Sequence, residues 1–413
     1  MDLKLIVKNS FKSGKTNLEN HYMTRLILFI FIMLLQTYVV NAQKTLYDYI
    51  ELGKFQIGFK DTIVYDPRYQ YEAFDYVGMK PNFIQIWYPL ADKIPNPDYM
   101  NFEDFFEGNR TEKLIEIQKQ LKTNYQEALI RDCIEENLAT AEANDFGTFS
   151  YEDVLRSVGK TKTKSILHND FQASQFPVML YHHGAQSYSF ENFALAEYFA
   201  SRGFIFIASN FHLPYEALTF GLKPYNQIIK NEEEQSLKAI LKFAKSLSSS
   251  NSVFFVGHSW GAQMGFRTFD EETDISGFIS LETTIEFKSD QEKIREIWPE
   301  VYQKVSIEKV SYPFPVLLCA ATGQEEPFVF FENLNASQVI FAPTKAEFEH
   351  DAYLSSFYMR LFLNDSIVQS DKEILQDRLF LYVKHLKLMS EFIDEILKAE
   401  YLPKKEIRFV KVE

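Results

Sequence analysis

The feature that most restricts the fold is a series of short, largely apolar runs in the second half of the chain. They are Val178–Tyr181, Phe204–Ala208, Ser252–Val256, Ile275–Leu281, Val316–Ala321 and Val339–Phe341. They show no strict apolar–polar alternation, so both faces of each strand must be covered. Between them lie segments with helical spacing: Phe190–Ser201, which stops at Gly203, then Glu232–Leu247, then a stretch from Gly257 to Phe269. Apolar strands alternating with amphipathic helices specify an α/β architecture, a mostly parallel central sheet with helices on both faces. Two further strands are expected upstream, at Phe55–Tyr65 and Asn82–Tyr88. The segment 101–168 carries Leu114, Ile117, Leu121, Tyr125, Leu129 and Cys133 at helical spacing and reads as a helical insertion. Asp371–Ala399 reads as one or two long amphipathic helices. Residues 43–413 are thus expected to form a single domain.

The charge balance narrows the partners. Lys and Arg number 43 against 57 Asp and Glu, a formal net charge of −14. Such a chain repels a phosphate backbone, which argues against a nucleic-acid partner. Two cysteines, Cys133 and Cys319, are too few for a disulfide scaffold or a Cys-rich zinc site. Cys319 sits in an apolar run and is expected in the core. Near the start, Leu26–Leu35 is an unbroken apolar run behind Arg25, with Ala42 at a small-residue boundary. That pattern predicts a signal peptide over 23–42, cleaved after Ala42, and an exported product, secreted or periplasmic. The run is shorter than the roughly 20 residues that span a bilayer, so no stable membrane span is expected after cleavage. Residues 1–22 read either as a basic leader or as an extension ahead of a start at Met23.

The motif that carries chemistry is Gly257-His258-Ser259-Trp260-Gly261. It directly follows the strand Val253–Val256 and directly precedes a helix-compatible segment. A serine on a sharp strand-to-helix turn presents its hydroxyl at the C-terminal edge of the sheet, and small residues two positions away make the bend sterically possible. The helix N-terminus behind it favours negative charge developing there. Ser259 is therefore the candidate nucleophile, and the N–H of Trp260 a candidate oxyanion donor.

With this motif in this context the chain resembles the α/β-hydrolases. It is most similar to the branch holding the plasma-type platelet-activating-factor acetylhydrolases and the dienelactone hydrolases. The resemblance covers the strand Asn82–Tyr88, within Trp87-Tyr88-Pro89, and then Phe176–Phe357. It implies a second oxyanion donor on the turn Tyr181-His182-His183-Gly184-Ala185-Gln186, at the N–H of Ala185. It also implies the order nucleophile, acid, histidine along the chain. His183 precedes Ser259, so it is expected to be structural or to wall the substrate cavity. His182 and His183 find no third ligand at useful spacing for a metal.

Of the two histidines after Ser259, His385 lies inside the C-terminal amphipathic segment and reads as a surface or packing residue. His350 follows the last expected strand and is assigned as general base. Two places compete for the acid. Glu282 ends the strand Ile275–Leu281, where the acetylhydrolase-like branch usually has Asp. Glu325 or Glu326, after Val316–Ala321, matches the dienelactone hydrolase position. Glu282 is the preferred reading.

These residues imply an exported serine hydrolase that cleaves carboxylic esters through an acyl-enzyme, with no cofactor and no metal. Its substrate would be a small-molecule or lipid ester. The same triad serves a phospholipase or an amidase, and a non-catalytic exported binding protein on this scaffold is the alternative. Trp260, Phe211 and Tyr188 suggest an apolar pocket beside the loop Asn210–Pro214. The insertion 101–168 and the segment Tyr215–Tyr225 are candidate lids.

Overall fold

In a computed structural model the apolar runs become the inner strands of one sheet. The structure describes residues 44–108, 111–130, 151–172, 174–215, 227–271, 273–282, 291–321, 333–344, 348–362, 372–398 and 407–413. The expected signal peptide and the extension before it lie outside the described residues, as do Cys133, Glu325 and Glu326. Among the described residues no helix is long and apolar enough to cross a membrane.

A long antiparallel hairpin comes first. Strand β1 (Ile57–Ala73) pairs with β2 (Tyr76–Pro89), from Ile57 opposite Pro89 to Ala73 opposite Tyr76. Phe74 and Asp75 between them both have positive φ, 53° and 61°, as a two-residue turn matched to strand twist requires. The remaining strands are β3 (Ser165–Leu167), β4 (Val178–His182), β5 (Ile205–Ser209), β6 (Val253–His258), β7 (Gly277–Leu281), β8 (Ser311–Tyr312), β9 (Val316–Ala320), β10 (Asn335–Ala336), β11 (Val339–Pro343) and β12 (Ile407–Phe409). Strands β8 and β10 form a small ladder of their own. The others order as β12-β11-β9-β7-β6-β4-β5-β2-β1-β3. Strand β2 is antiparallel to β1 and β5, and the other pairings are parallel. Strand β4 lies between β5 and β6, so the chain leaves it in one direction and later returns on its other side. In open α/β sheets such a reversal marks where a crevice forms beyond the C-terminal ends of the strands, here β4 and β6.

The helices are α1 (Ile115–Ile130), α2 (Tyr151–Gly159), α3 (Phe193–Ser201), α4 (Gln227–Ser246), α5 (Trp260–Thr268), α6 (Gln291–Ile297), α7 (Pro299–Tyr302) and α8 (Lys372–Leu397). They cover both faces of the sheet, which is why the strands tolerate no alternation. In β6, Phe254 and Val256 enter one apolar cluster with α3 and α8, while Val253 and Phe255 enter another with α4 and α5. Cys319 is fully buried in β9.

Three details depart from the expectation, and the choice between one and two C-terminal helices is decided. The hairpin is longer than the two expected strands, because β1 continues past Tyr65 through a register shift between Asp66 and Gln70. The buried Asp66 carboxylate is paired there with Arg68. The described part of 101–168 is built into the core rather than laid over it. Phe102 and Phe105 pack on Phe193, Phe106 packs on Phe190, and the segment returns as β3 at the sheet edge. The C-terminal helical pattern is one helix of 26 residues. A further strand, β12, follows it and pairs with β11.

Candidate active site

Ser259 joins β6 to α5 with φ 51° and ψ −115°. A residue with a side chain pays roughly 1–3 kcal/mol to stay in such a conformation, so neighbours must hold it. Its N–H donates to the carbonyls of Leu281 (3.1 Å) and Glu282 (3.0 Å), and its carbonyl accepts from the N–H of Ala262 (3.1 Å). Gly261 meets the end of β4 so closely that a Cβ there would collide with the carbonyl of His182. The elbow is thereby pinned to β7 on one side and β4 on the other, and the serine stays half-exposed.

Glu282 stands at the end of β7 with φ 42°. Its N–H donates to the carbonyl of Cys319 (3.0 Å), and its carbonyl receives the Ser259 N–H. The backbones of these two residues are thus tied together. The Glu282 side chain is 3% exposed, and its carboxylate contacts Nδ1 of His350, whose side chain is 43% exposed. His350 opens a short helical turn (His350–Tyr353) beyond β11.

Two other histidines support that turn. His258, just before Ser259, donates from Nε2 to the His350 carbonyl (3.2 Å), and the two rings lie 4.7 Å apart. His385, on α8, is buried and packs on Phe348 and Tyr353, with Nε2 paired to the Thr344 hydroxyl at 3.0 Å. It is a packing residue, held neutral by burial with its pKa pushed down to about 3.

The turn after β4 lies against the elbow. A Cβ on Gly184 would stand 2.9 Å from His258 Nδ1 and 3.5 Å from the Ser259 Cβ. His183 is buried there: Nδ1 donates to the Gly184 carbonyl (2.7 Å) and Nε2 accepts the Phe211 N–H (3.1 Å). Burial holds its pKa well below the usual value, so it links two loops as a neutral ring. His182 stacks on Phe211 with centroids 3.7 Å apart.

Among the described residues, the three rings named for an apolar pocket are packed against other rings. Phe211 is buried under His182, Tyr188 against Phe190 and Trp260 against Trp298.

Sequence reasoning missed three residues that shape this region. Glu191 is fully buried and gathers bonds from the β4 turn. Glu233 pairs with His212 (2.7 Å) and accepts the Trp260 indole N–H (2.7 Å). His258 sits between Gly257 and Ser259 in the motif, and its bond to the His350 carbonyl is visible only in the fold. No periodicity marks any of them, since each works through long-range contacts. His258, His350 and Asp351 also bring ligand-capable atoms within 4.8 Å of one another. In the structure His258 and His350 are already engaged with a carbonyl and a carboxylate.

No protein-family model matches the chain, and no curated protein matches it. Among solved structures, it is similar to a ferulic acid esterase from Streptomyces cinnamoneus, at 13% identity and a TM-score of 0.48, over 80% of this chain and 90% of that one. It is similar to brefeldin A esterase, a bacterial homologue of human hormone sensitive lipase, at 10% identity and a TM-score of 0.38, over 83% and 82%. It is also similar to an acylaminoacyl peptidase from Pyrococcus horikoshii, at 16% identity and a TM-score of 0.37, over 56% and 38%. The order of the sheet, its antiparallel second strand and the strained serine between β6 and α5 give the chain the α/β-hydrolase fold.

Proposed function

We propose that the chain is a serine hydrolase cleaving carboxylic esters, with Ser259 as nucleophile, His350 as base and Glu282 as the acid that orients it. The observation that carries this reading is the contact of the buried Glu282 carboxylate with His350 Nδ1, made at the same elbow that holds Ser259 at positive φ. With Nδ1–H directed at a carboxylate, the imidazole keeps Nε2 as its proton acceptor. Nε2 takes the hydroxyl proton as Oγ attacks the carbonyl carbon. The N–H groups of Trp260 and Ala185 meet the oxyanion, aided by the positive end of α5. His350 then returns the proton to the leaving alcohol and an acyl group remains on Ser259. Water, deprotonated by His350, attacks that acyl carbon and releases the acid.

The likeness to acetylhydrolases and dienelactone hydrolases directs the proposal to short-chain esters of small molecules or lipids. Export through cleavage after Ala42 belongs to the same reading, and an exported chain whose N-terminus is not Gln43 would contradict it.

The test is turnover of 4-nitrophenyl acetate by the native protein and by Ser259→Ala. The variant should lose at least about 1,000-fold in kcat. Turnover of amides with none of esters would move the substrate class. No turnover of either, with no fluorophosphonate adduct, would favour a binding protein on this scaffold.

A further inference from the structure

One buried carboxylate takes no part in these steps. Glu191 is fully excluded from water. An ionised carboxylate in such a place costs several kcal/mol unless donors converge on it. Here they converge from one short segment. Oε1 accepts the Tyr181 hydroxyl (2.6 Å) and the Gly184 N–H (3.1 Å), and the Ser187 hydroxyl donates to Oε2. These three residues bracket Ala185. The turn they form contains a strained position, Gln186 at φ 61°, which keeps its shape only if something overdetermines it.

Glu191 also touches the other two parts of the site. Its Oε1 lies 3.7 Å from His258 Nδ1. Its carbonyl accepts the Ser356 N–H (3.0 Å) and the Ser355 hydroxyl (3.2 Å), just beyond the turn that starts at His350.

We infer that Glu191 is a positioning residue whose carboxylate templates the oxyanion turn, fixing the Ala185 N–H where charge develops in the transition state. The inference rests on the proposed ester hydrolysis and adds to it a residue that touches no substrate. Oxyanion donors act through fixed geometry and bind the transition state better than the substrate. Slack in this turn should therefore lower kcat and leave KM nearly unchanged.

The experiment uses Glu191→Gln, which keeps the shape but replaces one accepting oxygen with an amide NH2, with Ser187→Ala as a milder variant should the first fail to fold. Each is assayed on an ester and on its thiono analogue. A thiocarbonyl sulfur is a weak hydrogen-bond acceptor on a longer bond, so a well-set oxyanion turn does little for it. Glu191→Gln should lower kcat on the ester by about 10- to 100-fold, the range of one weakened oxyanion donor. KM should stay within about twofold and thionoester kcat within about threefold. Ser187→Ala should move the same way by less. Equal losses on both substrates, or no loss on the ester, would overturn the inference while leaving the triad standing. A native protein that cleaves neither substrate would overturn the ester reading itself and this role with it.

Discussion

Glu282→Gln keeps the side chain's shape and removes its charge. The carboxylate is 3% exposed, and its partner imidazole is 43% exposed. In the proposed mechanism the charge opposing the imidazolium therefore comes from a group shielded from water, where it acts strongly. The amide changes two things. It can offer an N–H to Nδ1, which favours the wrong tautomer, and it no longer offsets the positive ring. In a serine triad the same change typically lowers kcat by about 10,000-fold, which is about 5.5 kcal/mol of barrier. The assay is kcat and KM on 4-nitrophenyl acetate, with thermal melting alongside. The expected result is a kcat loss of at least about 1,000-fold, with KM changed little. A loss below about tenfold would refute the reasoning. A large loss in Glu325→Gln or Glu326→Gln instead would move the acid to the end of β9.

Two further outcomes are expected. Glu197, on α3, is fully buried and accepts bonds from the Ser165 hydroxyl (2.6 Å) and the Lys164 N–H (2.8 Å); burial chiefly pushes its carboxyl up to about 7. The folded state keeps that proton where the unfolded chain has released it. Its contribution is thus complete below about pH 4.5 and is lost as pH rises through about 7, on the order of 3 kcal/mol in all. Glu197→Gln should flatten that part of the pH–stability curve in denaturant titrations, and parallel curves would contradict the assignment. Ser259→Gly should relieve about 1–3 kcal/mol of backbone strain against about 0.5–1 kcal/mol of added chain entropy, raising Tm while abolishing turnover; a lower Tm than native would show that the elbow is not strained.

Much of the candidate site was legible because its signals are local or ordered. Ser259 is marked by an apolar strand before it and a helix after it. His350 and Glu282 are marked by where strands end. Their contact is a long-range fact, but chain order restricts which residues can make it. The misses share a different cause. Strand β12 is three residues, Ile407-Arg408-Phe409, and earns its place only by pairing with β11. Strand β3 is equally short and depends on β1. The extension of β1 runs through Asp66 and Arg68, charges that read as a loop until their pairing is seen. Glu191 reads as an ordinary acidic residue near the start of a helix, favourable to the helix dipole and solvated. Only the fold reveals that Tyr181, Gly184 and Ser187 close over it. The aromatic rings read as pocket walls are buried against other rings, which composition cannot show because it does not say which side of a ring meets another.

The most direct measurement is the site of covalent attack. The native protein is treated with a fluorophosphonate, weighed intact and mapped by peptide mass spectrometry. A single adduct on Ser259, absent from Ser259→Ala and formed far more slowly by His350→Ala, is the expected result. A folded protein that gains no adduct, or gains it on another residue, would contradict the assignment of Ser259 as nucleophile.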